Sequence, residues 1–490
     1  MRFILFVYIY FIPQALIAQG ISNLWLFGYA NPSGPPWGGG VMDFSQGYFQ
    51  AYPQSRILNI NTTNANISDS TGKFLFASNG IFIQNAVNDT MANGNDLNPG
   101  YFVNARLNYG LSIPQANLII PFPNDKSKFY LFHETLDDYP WDYNTLNLFY
   151  SIIDMSLQGG LGEVIQKNTI LLSDSLVPGR LTACKHANGR DWWIIAHGLW
   201  NNLYYKYLIT STGIQGPFTQ NIGAMRRNFV GQCVFSPNGK YFAYYEPHQG
   251  DLDIFEFDRC SGDFIINANV PINDSAFGGG VAFSPNSNVL YVSSMNYVYQ
   301  FDMTAADIAA SKFTVGVWDG FFSYGPPLST SFYLSYLAPD GKIYINCGNG
   351  TSHIHVINQP DSLGHASALC QHCIHLPVRN AFTIPNHPNY FLGAEVGTLC
   401  DSLGVGVSKQ QDSKLIAIYP NPVTGNEITI SHSVSNSSQE LYIFDAHGRL
   451  LYNISLPPWT SIHRIVLPEI SEGIYIAKLG SASLKFNVLK

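Results

Sequence analysis

The run Phe235-Ser236-Pro237-Asn238-Gly239-Lys240, followed at once by Tyr241-Phe242-Ala243-Tyr244-Tyr245-Glu246, decides the fold. Pro sets φ for a turn, and Asn-Gly supplies the positive φ that a tight connection needs. The aromatic run after it suits a pleated strand that packs one face on a neighbouring sheet. The same unit recurs at Phe283-Ser284-Pro285-Asn286 before VLYVSS and at Leu337-Ala338-Pro339-Asp340-Gly341-Lys342 before IYINC. Weaker copies are Ser68 to Lys73 before FLFAS, Pro123 to Lys126 before FYLFH, and Lys185 to Arg190 before DWWIIAH.

With Gly72, Asp125, Gly189, Gly239, Ser287 and Gly341 as equivalent points, the separations are 53, 64, 50, 48 and 54 residues. That is the length of a four-stranded propeller blade with its loops. The segment from Leu24 to Asp43 supplies a seventh unit. A strand at Tyr390-Phe391-Leu392 is expected to complete the first blade, and closure of the ring removes the exposed sheet edge. The expected fold is therefore all-β: a single β-propeller of about seven blades, then a small Ig-like β-sandwich.

Composition agrees. The 490 residues include 29 Tyr and 32 Phe, and only 12% are charged. The net charge of −8 carries no basic stripe, which argues against nucleic-acid binding. Arg2, the apolar run Phe3 to Ile12, Pro13 and the small residues Ala15 to Ala18 read as a signal peptide cleaved between Ala18 and Gln19. Nothing later approaches membrane-span length, so no transmembrane segment is expected in the mature chain. The expected domains are a signal peptide over 1–18, the propeller over 19–400, a linker over 401–414 and a C-terminal β-domain over 415–490. The linker reads from its small, polar, weakly patterned residues, DSLGVGVSKQQDS.

The C-terminal segment resembles the type A sorting domain of the type IX secretion system. The resemblance rests on Tyr419-Pro420-Asn421-Pro422, the strand and turn Leu441 to Leu451 with Asp445 and Gly448, Gly473-Ile474-Tyr475 to Lys478, and the closing strand that ends at Lys490. It implies that the chain engages the type IX machinery, travels through the periplasm, and is secreted or attached to the outer-membrane surface. The body looks like a family of exported propellers from the same bacterial phylum. That likeness lies in Leu24-Trp25-Leu26-Phe27-Gly28, Met42-Asp43-Phe44, Tyr150 to Met155, Leu181 to Asp191 and Pro388 to Gly393. It brings architecture and no site.

Seven cysteines in an exported chain point to disulfides, with at least one thiol left over. Pairing is open; Cys370 or Cys373 is expected to bond another cysteine, with Cys400 a plausible partner. Cys370, His372, Cys373 and His375, with His353 and His355, have the residue types of a zinc site, but one CxxC in an oxidising compartment favours a disulfide, so no metal ligand is assigned. His353 and His355 alternate on one strand face, as a solvent face would. Glu134, Asp137 and Asp138 are candidates for a carboxylate pair of a glycoside hydrolase, without a fixed separation. The loop Asn31 to Gly40 is Gly-rich but lacks the Lys-Ser/Thr of a phosphate cradle. One indole of Trp192-Trp193 is expected in the core. Asp-Ser/Thr pairs such as Asp174-Ser175 resemble an O-glycan acceptor pattern of the same bacteria. No catalytic or cofactor-binding residue is assigned. The reading favours a non-enzymatic propeller binding a glycan or a cell-surface protein, over a carbohydrate-active enzyme with a carboxylate pair at the propeller mouth.

Overall fold

The computed structural model describes residues 20–30, 35–137, 143–227, 230–323, 325–401, 416–432, 435, 437–458, 460–468, 470–480 and 482–489. The signal segment with Ala18 and Gln19, most of the linker, and Lys490 lie outside the described residues. The chain divides into two compact units, Met1–Asp401 and Ser402–Lys490.

The first unit is a succession of antiparallel meanders, a propeller-like arrangement. Three-stranded sheets span Leu24–Gly28 to Gln50–Gln54 and Ala65–Ser68 to Ile83–Asn85. Four-stranded sheets follow. The third runs from Asn117–Phe122 to Glu163–Leu176, and the fourth from Thr182–Lys185 to Gly213–Arg226. The fifth runs from Gln232–Phe235 to Phe264–Pro271, the sixth from Gly279–Phe283 to Phe313–Val317, and the seventh from Phe332–Leu337 to Leu369–Ala381.

All six copies of the turn fall at one place, between the first and second strands of the second to seventh sheets. The lock is local. Ser236 Oγ meets Asn238 Oδ1 at 2.7 Å and accepts from Tyr241 N at 2.9 Å; Ser284 does the same with Asn286 and Val289. The positive φ falls on Gly72, Gly189, Gly239, Ser287 and Gly341 as the repeat requires, but on Asn124 rather than Asp125 in the third sheet.

Consecutive sheets share apolar cores. Trp193 and Tyr204 of the fourth meet Phe242 and Phe255 of the fifth, and Tyr291 of the sixth meets Ile343 of the seventh. The seventh packs back on the first, through Leu334, Tyr344 and Val356 against Trp25, Phe27 and Met42. Both Trp192 and Trp193 are buried, so neither indole is left for a ligand.

Tyr390-Phe391-Leu392 is not a strand: Tyr390 and Phe391 lie in a turn. The extended segment before it threads the centre instead. Asn386 N donates to Asn64 O at 3.1 Å, and Asn386 Nδ2 donates to Asn117 O at 3.0 Å and to Leu181 O at 2.8 Å. Tyr336 Oη donates to Asn386 Oδ1 at 3.2 Å, and Tyr390 Oη donates to Ile119 O at 2.8 Å. One short segment thus ties the first strands of the third, fourth and seventh sheets to the residues that lead into the second. Pro385 and Pro388 have no N–H and interrupt a ladder, so the Asn386 side-chain amide makes bonds beside its backbone one.

The C-terminal unit has a three-stranded sheet, Ile416–Tyr419, Glu427–His432 and Ile462–Val466, and a four-stranded one ordered Leu450–Leu456, Gln439–Asp445, Gly473–Leu479, Ala482–Val488. Ile428, Ile430, Leu441, Ile443, Ala477 and Phe486 build one core between them.

Candidate functional site

In the second to seventh meanders the strand after the repeated turn ends at the same end of the sheet. The residues there are Ser78, Glu134, His197, Glu246, Ser294 and Cys347, and all are buried. The repeat therefore carries one equivalent position with several chemistries. The ionisable members gather around Arg180, which precedes the first strand of the fourth sheet, and Arg226, which ends its last.

Glu134 accepts a hydrogen bond from Gly179 N. Arg226 bonds Asp251 through Nη1 and Asp253 Oδ2 through Nη2 at 2.5 Å, and its Nη1 lies 3.8 Å from Glu246 Oε2. Asp253 also accepts from Ala224 N at 2.8 Å and Asn269 Nδ2 at 2.6 Å. The guanidiniums of Arg226 and Arg180 lie 4.2 Å and 5.6 Å from the centre of the Tyr244 ring. The Arg180 side chain is 1% exposed, and among the described residues none of its guanidinium nitrogens has a hydrogen-bond partner. His197 stands edge-on to Tyr204 at 4.4 Å.

Burial sets the protonation of this floor. It pushes the Glu134 carboxyl well above the usual range and Glu246 up to about 7, against the opposing pull of Arg226 and Arg180 on Glu246. Burial and then the Arg226 charge hold His197 down at about 3, so it is neutral.

Aromatic side chains stand exposed at the same end. Trp200 follows the second strand of the fourth sheet, and Phe277 and Phe322 lie before the first strands of the sixth and seventh; they are 59%, 69% and 44% exposed. Phe277 meets His248 at 5.8 Å, and Trp37 lies under the Arg379 guanidinium at 4.5 Å.

The opposite end, which carries the repeated turns, holds a cavity of about 200 Å³ lined by Trp25, Phe235, Phe283, Tyr336, Asn386 and Phe391 among others. Its amides are engaged in the bracing described above. Gln115, for example, donates to Cys233 O at 2.8 Å and accepts from Cys233 N at 2.9 Å.

The sequence-derived candidates separate. Glu134 joins the buried cluster. Asp137 accepts from Leu146 N at 2.7 Å and Asn147 N at 3.0 Å, and Asp138 lies outside the described residues. Cys400 pairs with Cys260, not with Cys370 or Cys373, which pair with each other. Cys184, Cys233 and Cys347 are buried free thiols. His186, Cys260 and Cys400 are the one group of three metal-ligand types gathered within 4.8 Å among the described residues, but its two sulfurs are bonded to each other. His355 is fully buried, with Nε2 2.7 Å from Thr330 O, while His353 is half-buried, so the two do not share one solvent face. The loop Asn31 to Gly40 is described only from Pro35 onward. Of the Asp174-Ser175 pair, Asp174 is exposed and Ser175 half-buried.

Arg180, Arg226, His197 and Glu246 were not singled out by sequence. The signal was the last residue of each strand after the repeated turn, read across copies instead of along one.

In the C-terminal unit the motif residues meet. Tyr419 ends the first strand; Asn421 Oδ1 accepts from Asn487 N at 2.9 Å and Val423 N donates to Asn487 O at 2.8 Å, so the opening motif is pinned to the closing strand. Asp445 accepts from Gly448 N at 3.0 Å, and Gly448 takes φ 83° in this turn. Gly473 opens the next strand, and Tyr475 is buried with its hydroxyl 2.6 Å from Ser471 O.

Residues 417–488 match the secretion system C-terminal sorting domain. The chain is thus an all-β, propeller-like protein that carries a type IX sorting domain, and this tail marks it for export to the cell surface or the medium. A search of curated proteins gives no match. Among solved structures, the chain is similar to a putative 6-phosphogluconolactonase from Bacteroides fragilis at 14% identity and TM-score 0.43, over 74% of this chain and 97% of that one. It is similar to the periplasmic gluconolactonase of Pseudomonas aeruginosa at 13% identity and TM-score 0.40, over 74% and 98%. It is also similar to PorZ, a surface component of the type-IX secretion system of Porphyromonas gingivalis, at 11% identity and TM-score 0.27, over 93% and 68%.

Proposed function

We propose that the protein is a seven-bladed propeller, delivered through the periplasm by a signal peptide over 1–18 and by its sorting domain. On this reading the propeller spans 19–400, a linker spans 401–414, and a sandwich-like sorting domain spans 415–490. Outside the cell it binds a glycan without cleaving it. The return of the seventh sheet onto the first and the central segment around Asn386 support the closed ring. The two facing sheets around one core support the sandwich.

The observation that carries the binding reading is the exposed rim of Trp200, Phe277 and Phe322 at the end where Asp251 and Asp253 are bound to Arg226 and Glu134 to Gly179. Flat rings in water offer a stacking face to a sugar, while engaged carboxylates are not free to transfer protons. The test is a glycan array with parallel hydrolysis assays. Retention of a glycan that falls on Trp200→Ala and Phe277→Ala, with no cleavage, is the expected result. Cleavage of any bound glycan sinks it.

A carbohydrate-active enzyme is the second reading. It is favoured by Glu246, held near 7 as a general acid must be, at the strand-end position equivalent to Glu134. Under it, Glu246→Gln abolishes hydrolysis and leaves binding in place.

A further inference from the structure

The outer strands of the seventh sheet hold a second cluster, beside the Phe322 part of the rim. His353 and His375 are direct partners across the Gly350–Ile357 and Leu369–Ala381 strands. Directly opposed residues point to one face, and here the two rings lie 4.8 Å apart, centre to centre, at 69°. His375 is exposed and His353 half-buried, so the pair meets solvent.

The surroundings fix the rings. His353 Nδ1 lies 3.2 Å from Ser323 Oγ, which orients the imidazole and leaves Nε2 for a ligand. Phe321 stands edge-on to His353 at 5.3 Å and stacks on His372 at 4.0 Å. His372 Nε2 in turn lies 2.9 Å from Asp319 Oδ2. The strand bulges between Ile374 and Cys370, and the Cys370–Cys373 disulfide spans that bulge. His355 is directed elsewhere, as Thr330 and the His372 N–H occupy its two nitrogens.

We propose that His353 and His375 form a surface site for a divalent transition-metal ion that favours imidazole, such as zinc, nickel or copper(II), with water completing the coordination. Imidazole nitrogen suits these ions and not calcium or magnesium, which take oxygen ligands. The pre-set His353 ring spares part of the ordering cost that two mobile histidines carry.

The full chain is titrated with nickel chloride by calorimetry, and copper(II) loading is followed by electron paramagnetic resonance. The expected result is one equivalent of nickel and a copper signal with two nitrogen ligands. His353→Gln and His375→Gln should each weaken nickel binding about tenfold or more, and the double variant should bind none at this site. His463→Gln is the control, since its ring stacks on His432 in the other unit at 5.3 Å. Thermal melts show whether each variant is folded, and either single variant suffices if the other is not. Unchanged nickel affinity in the double variant overturns the proposal, as does an equal loss in His463→Gln.

Discussion

Two ways of filling a β-sheet core stand side by side in this chain. Among the described residues of the C-terminal unit, one polar side chain is buried, His432, and the core is otherwise the apolar face of alternating strands. The first unit is different. Its sheets share apolar faces, but its centre and one end hold Gln115, Asn386, Arg180, Arg226, Glu134 and Glu246, all buried. Apolar packing tolerates exchange of one residue for another of like volume, whereas a buried polar group must keep its own partner. The small unit is thus specified by a pattern and the large one by particular residues.

The largest effect expected is on delivery. Deleting residues 415–490 should leave no protein at the cell surface or in the medium, with the truncated chain retained in the periplasm. Fractionation with surface proteolysis reads this directly, and undiminished surface delivery would remove the tail from the export reading.

The next test sets charge against pattern. Arg226→Ala strands Asp251, Asp253 and Glu246 without their cation, and breaking a buried ion pair from one side costs about 4 kcal/mol. Denaturant melts of the full chain should show that loss in the transition of the first unit. The matching change in the other unit, Ile443→Ala, removes apolar volume alone, costs about 3 kcal/mol and leaves the first transition in place. A loss under about 1 kcal/mol for Arg226→Ala would mean that water reaches those carboxylates.

The same contrast explains what the sequence made legible. Turn and alternation are local, so the repeat from Gly72 to Gly341 and the strands from Leu441 to Val488 were visible in one dimension. The register slip at Asn124 was not, because either residue of an Asn-Asp pair accepts positive φ. The segment at Tyr390 to Leu392 was expected to complete the first blade, but it forms a turn and its run-in bonds other sheets. The two prolines of that run-in interrupt a ladder, and the amides that replace it bond residues from Asn64 to Tyr336, a distance no local pattern reports. Cys260 was missed as the partner of Cys400 for the same reason, since 140 residues separate them.

Asn386 measures how much that central bracing holds. Its side chain donates to Asn117 O and Leu181 O and accepts from Gln115 and Tyr336. Asn386→Ala leaves buried acceptors and donors without partners, and about 3 kcal/mol should be lost. The control is Asn108→Ala, at an exposed position in a turn of the same unit. If the two variants lose the same stability, the first unit stands on its apolar faces alone.

The last effect expected is one of pH, spread over several pH units, and it isolates Glu246. Its ordinary value of 4.5 applies to the unfolded chain, while burial raises it to about 7 in the fold. Between those values unfolding releases a proton, so stability falls as pH rises; the contribution is complete below the unfolded value and gone above the folded one. For a group so largely buried the difference should reach about 3 kcal/mol. His197 acts with the opposite sign: its ring is held near 3 in the fold, so the unfolded chain takes up the proton first and stability falls as pH drops below 6.5. The two overlap in the wild-type curve, so that curve alone cannot assign either. Glu246→Gln carries no titrating carboxyl there, and the His197 part cancels in the difference. Wild type minus Glu246→Gln should therefore decline across pH 4.5 to 7 and stay level on either side. Parallel curves would show that Glu246 is charged in the fold throughout, held by Arg226, and the acid chemistry of the second functional reading would go with it.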